Sequence, residues 1–535
     1  MTATVETLLF MLAVLAAVAV AAKRLNIAPS ILLVVAGIGV AFIPGLPKVE
    51  LAPEVVLLVI LPPLIYSAGV AMSWREFKFN LRPISLLAFG CVLFTTCAIA
   101  AAAHYFLNFD WAVGFLLGAI ISPTDVVAPL AIARKLGLPR RIVVVLEGEG
   151  LANDATALVL YRFAVVAIST GTFSLERASE TFVLIVIGET LYGLAVGWLS
   201  LHLRQWAHEP RVEITLSLMT PYLAFWVPAH LGGSGVLATV ACGLYVSWNG
   251  PLLIPSGTRL QGIFFWDLIV YLIEGLVFLV TGLQTRTLIE QTHAFTIREL
   301  VIATIWTTVI AIAARFLWVF PATYVPRWLS LRLRTRDPSP PWQAPFFLAF
   351  TGMRGVDSLA VALAIPFTIV SGEPFPHRDL ILFVTFGVII FTLVGQGLML
   401  PYVVCWLGLN RIGKREHKDE IKAELRARKA ALKQVERRLK KAIKDHDLPD
   451  EAIEHLRTRH QSRVQILPTN LTEGLDHMRR TAKVKAELID AEREFIYKLL
   501  RDGKITDEAR RRIEYELDLE EASVANRGKD GGGWM

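Results

Sequence analysis

Long apolar blocks alternate with short polar stretches along the first three quarters of the chain. A helix needs roughly 20 apolar residues to cross the hydrocarbon core of a bilayer, so these blocks predict about thirteen membrane-crossing helices. Their expected spans are 7–22, 28–44, 53–72, 84–107, 111–133, 142–168, 181–203, 212–229, 234–248, 261–284, 298–320, 343–369 and 379–408. Beyond them the chain is dense in charge. We therefore predict an all-α polytopic membrane protein, with a transmembrane domain at 1–409 and a charged helical domain at 410–535.

Composition supports a chain that lies mostly in lipid. Of its 535 residues, 54% are hydrophobic and 19% are charged, whereas soluble proteins carry more charge. The net charge of +7 does not indicate nucleic acid as a partner, because the basic residues occur in short loops between apolar blocks. The four cysteines lie inside apolar blocks without metal-ligand spacing, so we expect neither disulfides nor a metal cofactor.

The basic residues also predict the orientation of the helices. If the amino terminus is outside, the loops on the inner side carry Lys23, Arg24, Arg75, Lys78, Arg82, Arg134, Lys135, Arg140, Arg141, Arg204, Arg211, Arg259, Arg327, Arg332, Arg334 and Arg336. The outer loops carry only Lys48, Arg177, Arg286, Arg298 and Arg378. Cytoplasmic loops are enriched in Lys and Arg, so we expect a cytoplasmic tail and a bacterial inner-membrane location.

The tail has its own helical pattern. Leu425, Leu432 and Leu439 recur every seven residues, which is typical of a short coiled coil or a docking helix. Further helices are expected at about 473–501 and 506–525, before a glycine-rich end that we expect to be disordered. We predict a tail that self-associates or binds a regulator, although a charged helical domain without a regulatory role explains the pattern equally well.

The fifth apolar segment contains a carboxylate between two prolines, in the run Ser122-Pro123-Thr124-Asp125-Val126-Val127-Ala128-Pro129. A charge at mid-membrane costs about 3 kcal/mol on insertion scales, so Asp125 indicates a function. Proline removes backbone donors, and we expect the helix to be unwound around Thr124. Broken helices at the membrane midplane are a recurring ion site in transporters.

The sixth segment contains three carboxylates and an amide in the run Glu147-Gly148-Glu149-Gly150-Leu151-Ala152-Asn153-Asp154. Helical spacing puts residues 147, 150 and 154 on one face, and Glu149 elsewhere. Glu149 therefore needs its own partner. We predict an ion pair with Arg354, which lies between Gly352 and Gly355 in a second expected helix break.

Two carboxylates in a dehydrated site repel each other, so they hold a proton or a cation but bind both poorly. Such competition is what exchange requires, provided the protein reorients only when loaded. Asn153 offers a carbonyl oxygen without a titratable charge, so one proton replacing one monovalent cation leaves the charge unchanged. We predict electroneutral 1:1 exchange of a hard cation, Na⁺ with Li⁺ or K⁺ as alternatives, at Asp125 and Asp154.

Together these motifs make the chain resemble the monovalent cation:proton antiporter-1 family, the bacterial and animal sodium/proton exchangers. The resemblance covers about 7–408. Besides the two carboxylate motifs it includes Leu61-Pro62-Pro63-Leu64-Ile65-Tyr66, Gly233-Ser234-Gly235-Val236-Leu237-Ala238 with Gly243, and Gly352-Met353-Arg354-Gly355.

The resemblance implies inverted repeats, two broken helices that cross, a homodimer and an elevator-like movement. It also implies ion coordination by Asp125, Asp154 and the Thr124 carbonyl, and a Glu149–Arg354 pair. Two positions depart from the family: Gly150 stands where relatives have a serine hydroxyl, and Glu274 where relatives more often have Asn. Of the neighbouring residues, we expect Glu147 to face the cytoplasmic entrance, and we place Gly150 and Ser122 around the site without contact to the ion.

Other function classes fit the sequence less well. An intramembrane aspartyl protease needs a Gly-x-Gly-Asp helix, and a primary pump needs a Gly-x-x-x-x-Gly-Lys loop; neither pattern is present. A cation channel would reuse a filter motif or a ladder of gating charges, which we do not find. The principal alternative is K⁺/H⁺ antiport on the same fold. We therefore expect a secondary transporter, not an enzyme, without a cofactor.

Overall fold

The computed structural model describes residues 2–25, 27–43, 52–171, 174–291, 296–369, 372–445, 453–454, 457–458, 471–502, 504 and 506–528. The chain separates into two compact units, Met1–Gly413 and Lys414–Met535. The boundary expected after residue 409 lies close to this division.

The described part of the first unit is helical. In chain order its helices are α1 (Thr2–Leu25), α2 (Pro29–Ala41), α3 (Pro53–Ala71), α4 (Trp74–Phe79), α5 (Leu81–Leu107), α6 (Trp111–Ile121), α7 (Val127–Leu136), α8 (Arg140–Thr170), α9 (Leu175–Ala207), α10 (Pro210–His230), α11 (Val236–Leu253), α12 (Ser256–Gln291), α13 (Ile297–Leu329), α14 (Leu331–Arg336), α15 (Gln343–Phe350), α16 (Val356–Leu363) and α17 (Arg378–Leu407). Nine helices among the described residues are long and apolar enough to cross a membrane alone. Each of the thirteen predicted segments coincides with a helix or a pair of half-helices, which confirms the all-α polytopic fold.

Two of the predicted segments are interrupted, as their prolines and glycines indicated. The first break separates α6 from α7, and the second separates α15 from α16. The breaks meet: the Asp125 amide donates a 2.8 Å hydrogen bond to the Met353 carbonyl. A Cβ atom added to Gly355 would lie 2.5 Å from the Cβ of Asp125, so only glycine permits this approach.

The proline pair of α3 fixes a contact between helices. Pro62 and Pro63 have no N–H to donate, so the carbonyls four residues earlier lose their helical partners. Helix α10 supplies replacements, because Trp226 Nε1 donates to Leu58 O at 2.8 Å and the Tyr222 hydroxyl donates to Val59 O at 3.2 Å. The proline motif therefore joins α3 to α10.

The second unit is also helical in its described part, as the sequence predicted. Helix α18 (Leu409–Asp445) begins before the division, and α19 (Leu471–Arg501) and α20 (Asp507–Gly528) follow. Helices α19 and α20 pack together, with Ile496 and Leu517 buried, and Arg493 pairs with Asp518 at 2.5 Å. The side chains of Leu425 and Leu439 and the glycine-rich end lie outside the described residues.

Candidate functional site

Asp125 lies in the first break, directly before α7. One carboxylate oxygen, Oδ1, accepts a 2.8 Å hydrogen bond from the backbone N–H of Val127, the first residue of α7. The other, Oδ2, is buried and has no hydrogen-bond partner among the described residues. A buried polar atom without a partner carries a desolvation penalty. One oxygen is thus held by the start of a helix, and the other remains available to a cation or a proton.

Asn153 of α8 holds the first break in place. Its amide Nδ2 donates to the Thr124 carbonyl at 2.8 Å and to the Thr124 hydroxyl at 3.3 Å. Its carbonyl Oδ1 is buried without a partner in the described chain. The oxygen that the sequence analysis expected Asn153 to offer is therefore unpaired, while the Thr124 carbonyl, the other expected ligand, already accepts a hydrogen bond.

Asp154 follows Asn153 on the same helix and is partly buried. Within the described residues its carboxylate has neither an ion pair nor a hydrogen bond. It lies close enough to Asp125 and to Asp357, in the first turn of α16, for the negative charges to repel one another. The structure thus brings Asp125 and Asp154 together and adds a third carboxylate, which the sequence analysis did not place at the site.

The predicted partner of Glu149, Arg354, was wrong. Glu149 is bound in a bidentate manner by Arg315 of α13, with Nη1 at 2.5 Å from Oε1 and Nη2 at 2.9 Å from Oε2. Both side chains are buried, at 1% and 3% exposure, and the Thr124 hydroxyl also donates to Glu149 at 3.0 Å. The sequence analysis did not assign Arg315 to Glu149.

Arg354 instead binds main-chain oxygens that the breaks leave without helical partners. Its Nε donates to Ile121 O, at the end of α6, at 2.9 Å, and its Nη1 donates to Gly352 O. Arg315 does the same for α15, since Nε and Nη2 donate to Leu348 O at 3.1 and 2.9 Å. The last carbonyls of a helix carry partial negative charge, so a guanidinium beside each break stabilises it.

Carboxylates occupy the opposite ends of the breaks. Asp125 precedes α7, and Asp357 lies in the first turn of α16, where backbone N–H groups carry partial positive charge. Glu274 of α12 is mostly buried and also interacts electrostatically with Asp125. The departure at Glu274 therefore adds a fourth acidic group to the surroundings of the two aspartates.

The remaining predicted residues lie around the site. Glu147 forms a 2.7 Å ion pair with Arg134, and the two side chains are 14% and 42% exposed. The Ser122 hydroxyl donates to Ala119 O at 3.3 Å within the end of α6. Gly150 contacts Val126, because a Cβ atom there would collide with a Val126 methyl group. The space that a serine side chain would need at this position is therefore filled by Val126.

Among the described residues, no group of three or more His, Cys, Asp or Glu side chains is close enough together to hold a metal ion. A hard monovalent cation here would bind the two carboxylates together with neutral oxygens such as Asn153 Oδ1 and water. Because both arginines beside the site are already engaged, neither neutralises Asp125 or Asp154.

Comparison with known proteins identifies relatives of this chain. The family model described as "Sodium/hydrogen exchanger, transmembrane" matches residues 10–406. An uncharacterized Na⁺/H⁺ exchanger of Mycobacterium tuberculosis is 32% identical over 514 residues, which are 94% of this chain and 92% of the relative. A sodium, potassium, lithium and rubidium/H⁺ antiporter of Bacillus pumilus is 34% identical over 377 residues, 68% of this chain and 56% of the relative.

The fold also matches a solved structure. The sodium proton antiporter MjNhaP1 of Methanocaldococcus jannaschii superimposes with a TM-score of 0.61 over 76% of this chain and 98% of the antiporter, at 18% sequence identity. At that identity the likeness concerns the fold.

Proposed function

The chain belongs to the sodium/hydrogen exchanger family and is a multi-pass membrane transporter, not an enzyme. On this premise we propose that it exchanges Na⁺ for H⁺ at Asp125 and Asp154. The observation that carries the proposal is a set of buried oxygens without partners. Asp125 Oδ2 and Asn153 Oδ1 have none, and Asp154 has no ion pair, among the described residues. A cation or a proton would compensate the two carboxylates, and a cation would also satisfy the Asn153 oxygen.

The arginines around the site support this assignment. Arg315 is occupied by Glu149 and Leu348, and Arg354 by Ile121 and Gly352. The mobile ion therefore supplies the compensating charge. A Na⁺ bound between the aspartates reduces their repulsion, and a proton on one of them does the same, so each ion weakens binding of the other.

Exchange follows if the protein changes its accessible side only when the aspartates hold one cation or one proton. One monovalent cation replacing one proton leaves the charge of the site unchanged, so we propose a 1:1 electroneutral cycle. Asn153 contributes an oxygen without a charge, which is consistent with this stoichiometry.

We further propose a homodimer in the bacterial inner membrane, with the amino terminus outside and the tail in the cytoplasm. The Lys and Arg residues of alternating loops support the orientation. The resemblance to the exchanger family supports the dimer.

Potassium or lithium exchange is the second candidate, because the Bacillus pumilus relative bears the name of a sodium, potassium, lithium and rubidium/H⁺ antiporter. The same carboxylates and neutral oxygens bind any of these ions. Selectivity among these ions depends on ligand spacing, and transport assays measure that selectivity directly.

The test measures proton movement in proteoliposomes with an imposed pH gradient, on addition of Na⁺, K⁺ or Li⁺, with and without a valinomycin clamp. Electroneutral Na⁺/H⁺ exchange predicts dissipation by Na⁺ that the clamp does not alter. Dissipation by K⁺ alone would change the substrate and keep the mechanism. Ion flux without coupled proton movement would indicate a channel and contradict the proposal.

Variants connect the activity to the site. Asp125→Asn and Asp154→Asn should each abolish exchange, since each leaves one carboxylate, while the protein stays folded by size-exclusion chromatography. Glu147→Gln is the matched control: it removes a carboxylate from the same helix as Asp154, but one already paired with Arg134. Normal exchange by either aspartate variant would refute the site assignment.

A further inference from the structure

Three arginines converge on one aspartate away from the exchange site. Arg82 at the start of α5, Arg141 at the start of α8 and Arg327 near the end of α13 surround Asp337, which follows α14. Their Nη2 atoms lie 2.9, 2.8 and 2.8 Å from its carboxylate oxygens. We call these four residues the arginine cluster. All three helix ends belong to the side that the loop charges predict to be cytoplasmic.

The charges of the arginine cluster do not balance. Three guanidiniums share one carboxylate, which leaves two positive charges, and the arginines are close enough to repel one another. Arg82 Nε and Nη1 are buried and have no hydrogen-bond partner among the described residues. The described chain thus leaves both charge and donors of this cluster unsatisfied.

The arginines differ in what else they contact. Arg327 is 4% exposed and also donates to Asp337 O and Thr323 O, so its donors are occupied within the protein. Arg141 is 38% exposed, and its Nε donates to Asn80 Oδ1 at 3.2 Å. Arg82, at 28%, is also partly exposed. The cluster is therefore open to solvent mainly through Arg141 and partly through Arg82, whose two unpaired nitrogens lie beneath the surface.

Exposed apolar side chains flank this charge. Phe79 and Leu81 lie three and one positions before Arg82, and Trp328 and Leu329 directly follow Arg327; all four are exposed. A basic group beside exposed apolar residues at the cytoplasmic end of membrane helices matches the interface where anionic headgroups adjoin acyl chains.

We propose that the arginine cluster binds a phosphate group, supplied either by the headgroup of an anionic phospholipid or by soluble phosphate. Arginine recognises phosphate oxygens through paired N–H donors, and surplus positive charge beside unpaired donors is what such a group satisfies. Binding would tie together the ends of α5, α8 and α13. The site is separate from Asp125 and Asp154 and does not depend on which cation is exchanged.

The main comparison uses Arg141→Gln and Arg140→Gln in the full-length protein. The two residues are neighbours at the start of α8, but Arg140 is 51% exposed and pairs with Glu76 outside the cluster. Each substitution removes one positive charge from the same region. General attraction to an anionic surface would therefore fall equally in both variants, whereas a phosphate site at the cluster depends on Arg141.

Native mass spectrometry measures retention of phosphatidylglycerol against phosphatidylethanolamine from defined mixed micelles. We expect wild type and Arg140→Gln to retain phosphatidylglycerol alike, and Arg141→Gln to bind it about fivefold more weakly, the contribution of about one basic residue at an anionic surface. A second arm compares melting temperatures in Tris phosphate and Tris chloride of equal ionic strength. A phosphate-dependent rise that Arg141→Gln loses, without preference for the lipid, would assign the site to soluble phosphate.

Asp337→Asn distinguishes a phosphate site from a purely structural contact. It also tests the proposal if Arg141→Gln does not fold. Loss of the carboxylate raises the charge of the cluster, so phosphate or phosphatidylglycerol should bind more tightly and restore the lost thermal stability. The proposal is overturned if Arg140→Gln and Arg141→Gln behave alike in both arms. It is also overturned if Asp337→Asn is destabilised without any gain in the response to either probe.

Discussion

The pairing of Glu149 with Arg315 gives a quantitative prediction about stability. Arg315→Gln leaves a buried carboxylate with only the Thr124 hydroxyl. It also removes both guanidinium donors from Leu348 O, which keeps the Thr351 hydroxyl. Breaking a buried ion pair by removing one partner costs about 3–5 kcal/mol, because the other charge stays buried and uncompensated. We expect Arg315→Gln to lower the free energy of unfolding by an amount in that range.

A double-mutant cycle tests which arginine is the partner. Adding Glu149→Gln to Arg315→Gln removes the uncompensated charge, so the double variant should be about 1–3 kcal/mol more stable than the sum of the single changes predicts. Glu149→Gln with Arg354→Gln should show a smaller coupling. Among the described residues no hydrogen bond joins that pair. Glu149 attracts the Arg354 charge, and Arg315 repels it.

Unfolding free energies can be measured by SDS titration in mixed micelles, followed by tryptophan fluorescence. Both cycles share Glu149→Gln, so a general effect of that substitution cancels between them. A larger coupling with Arg354 than with Arg315 would refute the assignment and restore the partner that the sequence suggested.

Three further changes probe the surroundings of the site. Gly355→Ala places a methyl group against the carboxylate at the first break, so it should lower the free energy of unfolding by about 1–3 kcal/mol and remove most of the exchange activity. Gly262→Ala, with no neighbour within 4 Å, is the control. Equal stability of the two variants would contradict the close approach. Gly150→Ser should lose activity through collision with Val126 and recover with Val126→Ala added; unimpaired Gly150→Ser transport would argue against that contact. Asp357→Asn should raise the KM for Na⁺ at least about threefold while retaining exchange, because it removes a negative charge near the ion without removing a ligand; complete loss of exchange would place Asp357 among the ligands.

Hydrophobic blocks and prolines were sufficient to predict most of the fold. Membrane-crossing helices follow from segment length and composition, which do not depend on distant contacts. Pro123 also predicted where the fifth segment is interrupted, because a missing N–H acts locally. The neighbourhood of Asp125 and Asp154 was predictable for a similar reason, since each lies in an apolar segment that has no structural use for a carboxylate.

The partner of Glu149 was not predictable in the same way. Helical periodicity identifies residues on one face, but it does not choose between arginines on other helices, and Arg315 lies 166 positions away. A missed signal was the number of helix ends. Each break creates a helix end whose carbonyls need hydrogen-bond donors, so two breaks need two cationic side chains. Arg354 donates to the end of α6 and is therefore not the partner of Glu149.

The hydrogen bond between the two breaks has a consequence for engineering. The Asp125 backbone amide donates to Met353 O, and Gly355 leaves no room for a larger residue beside Asp125. The two interrupted segments therefore form one structural unit. Grafting 111–136 from a relative with different ion preference would carry one half of that junction into a mismatched other half. A transplant intended to change selectivity therefore has to include 343–363 as well.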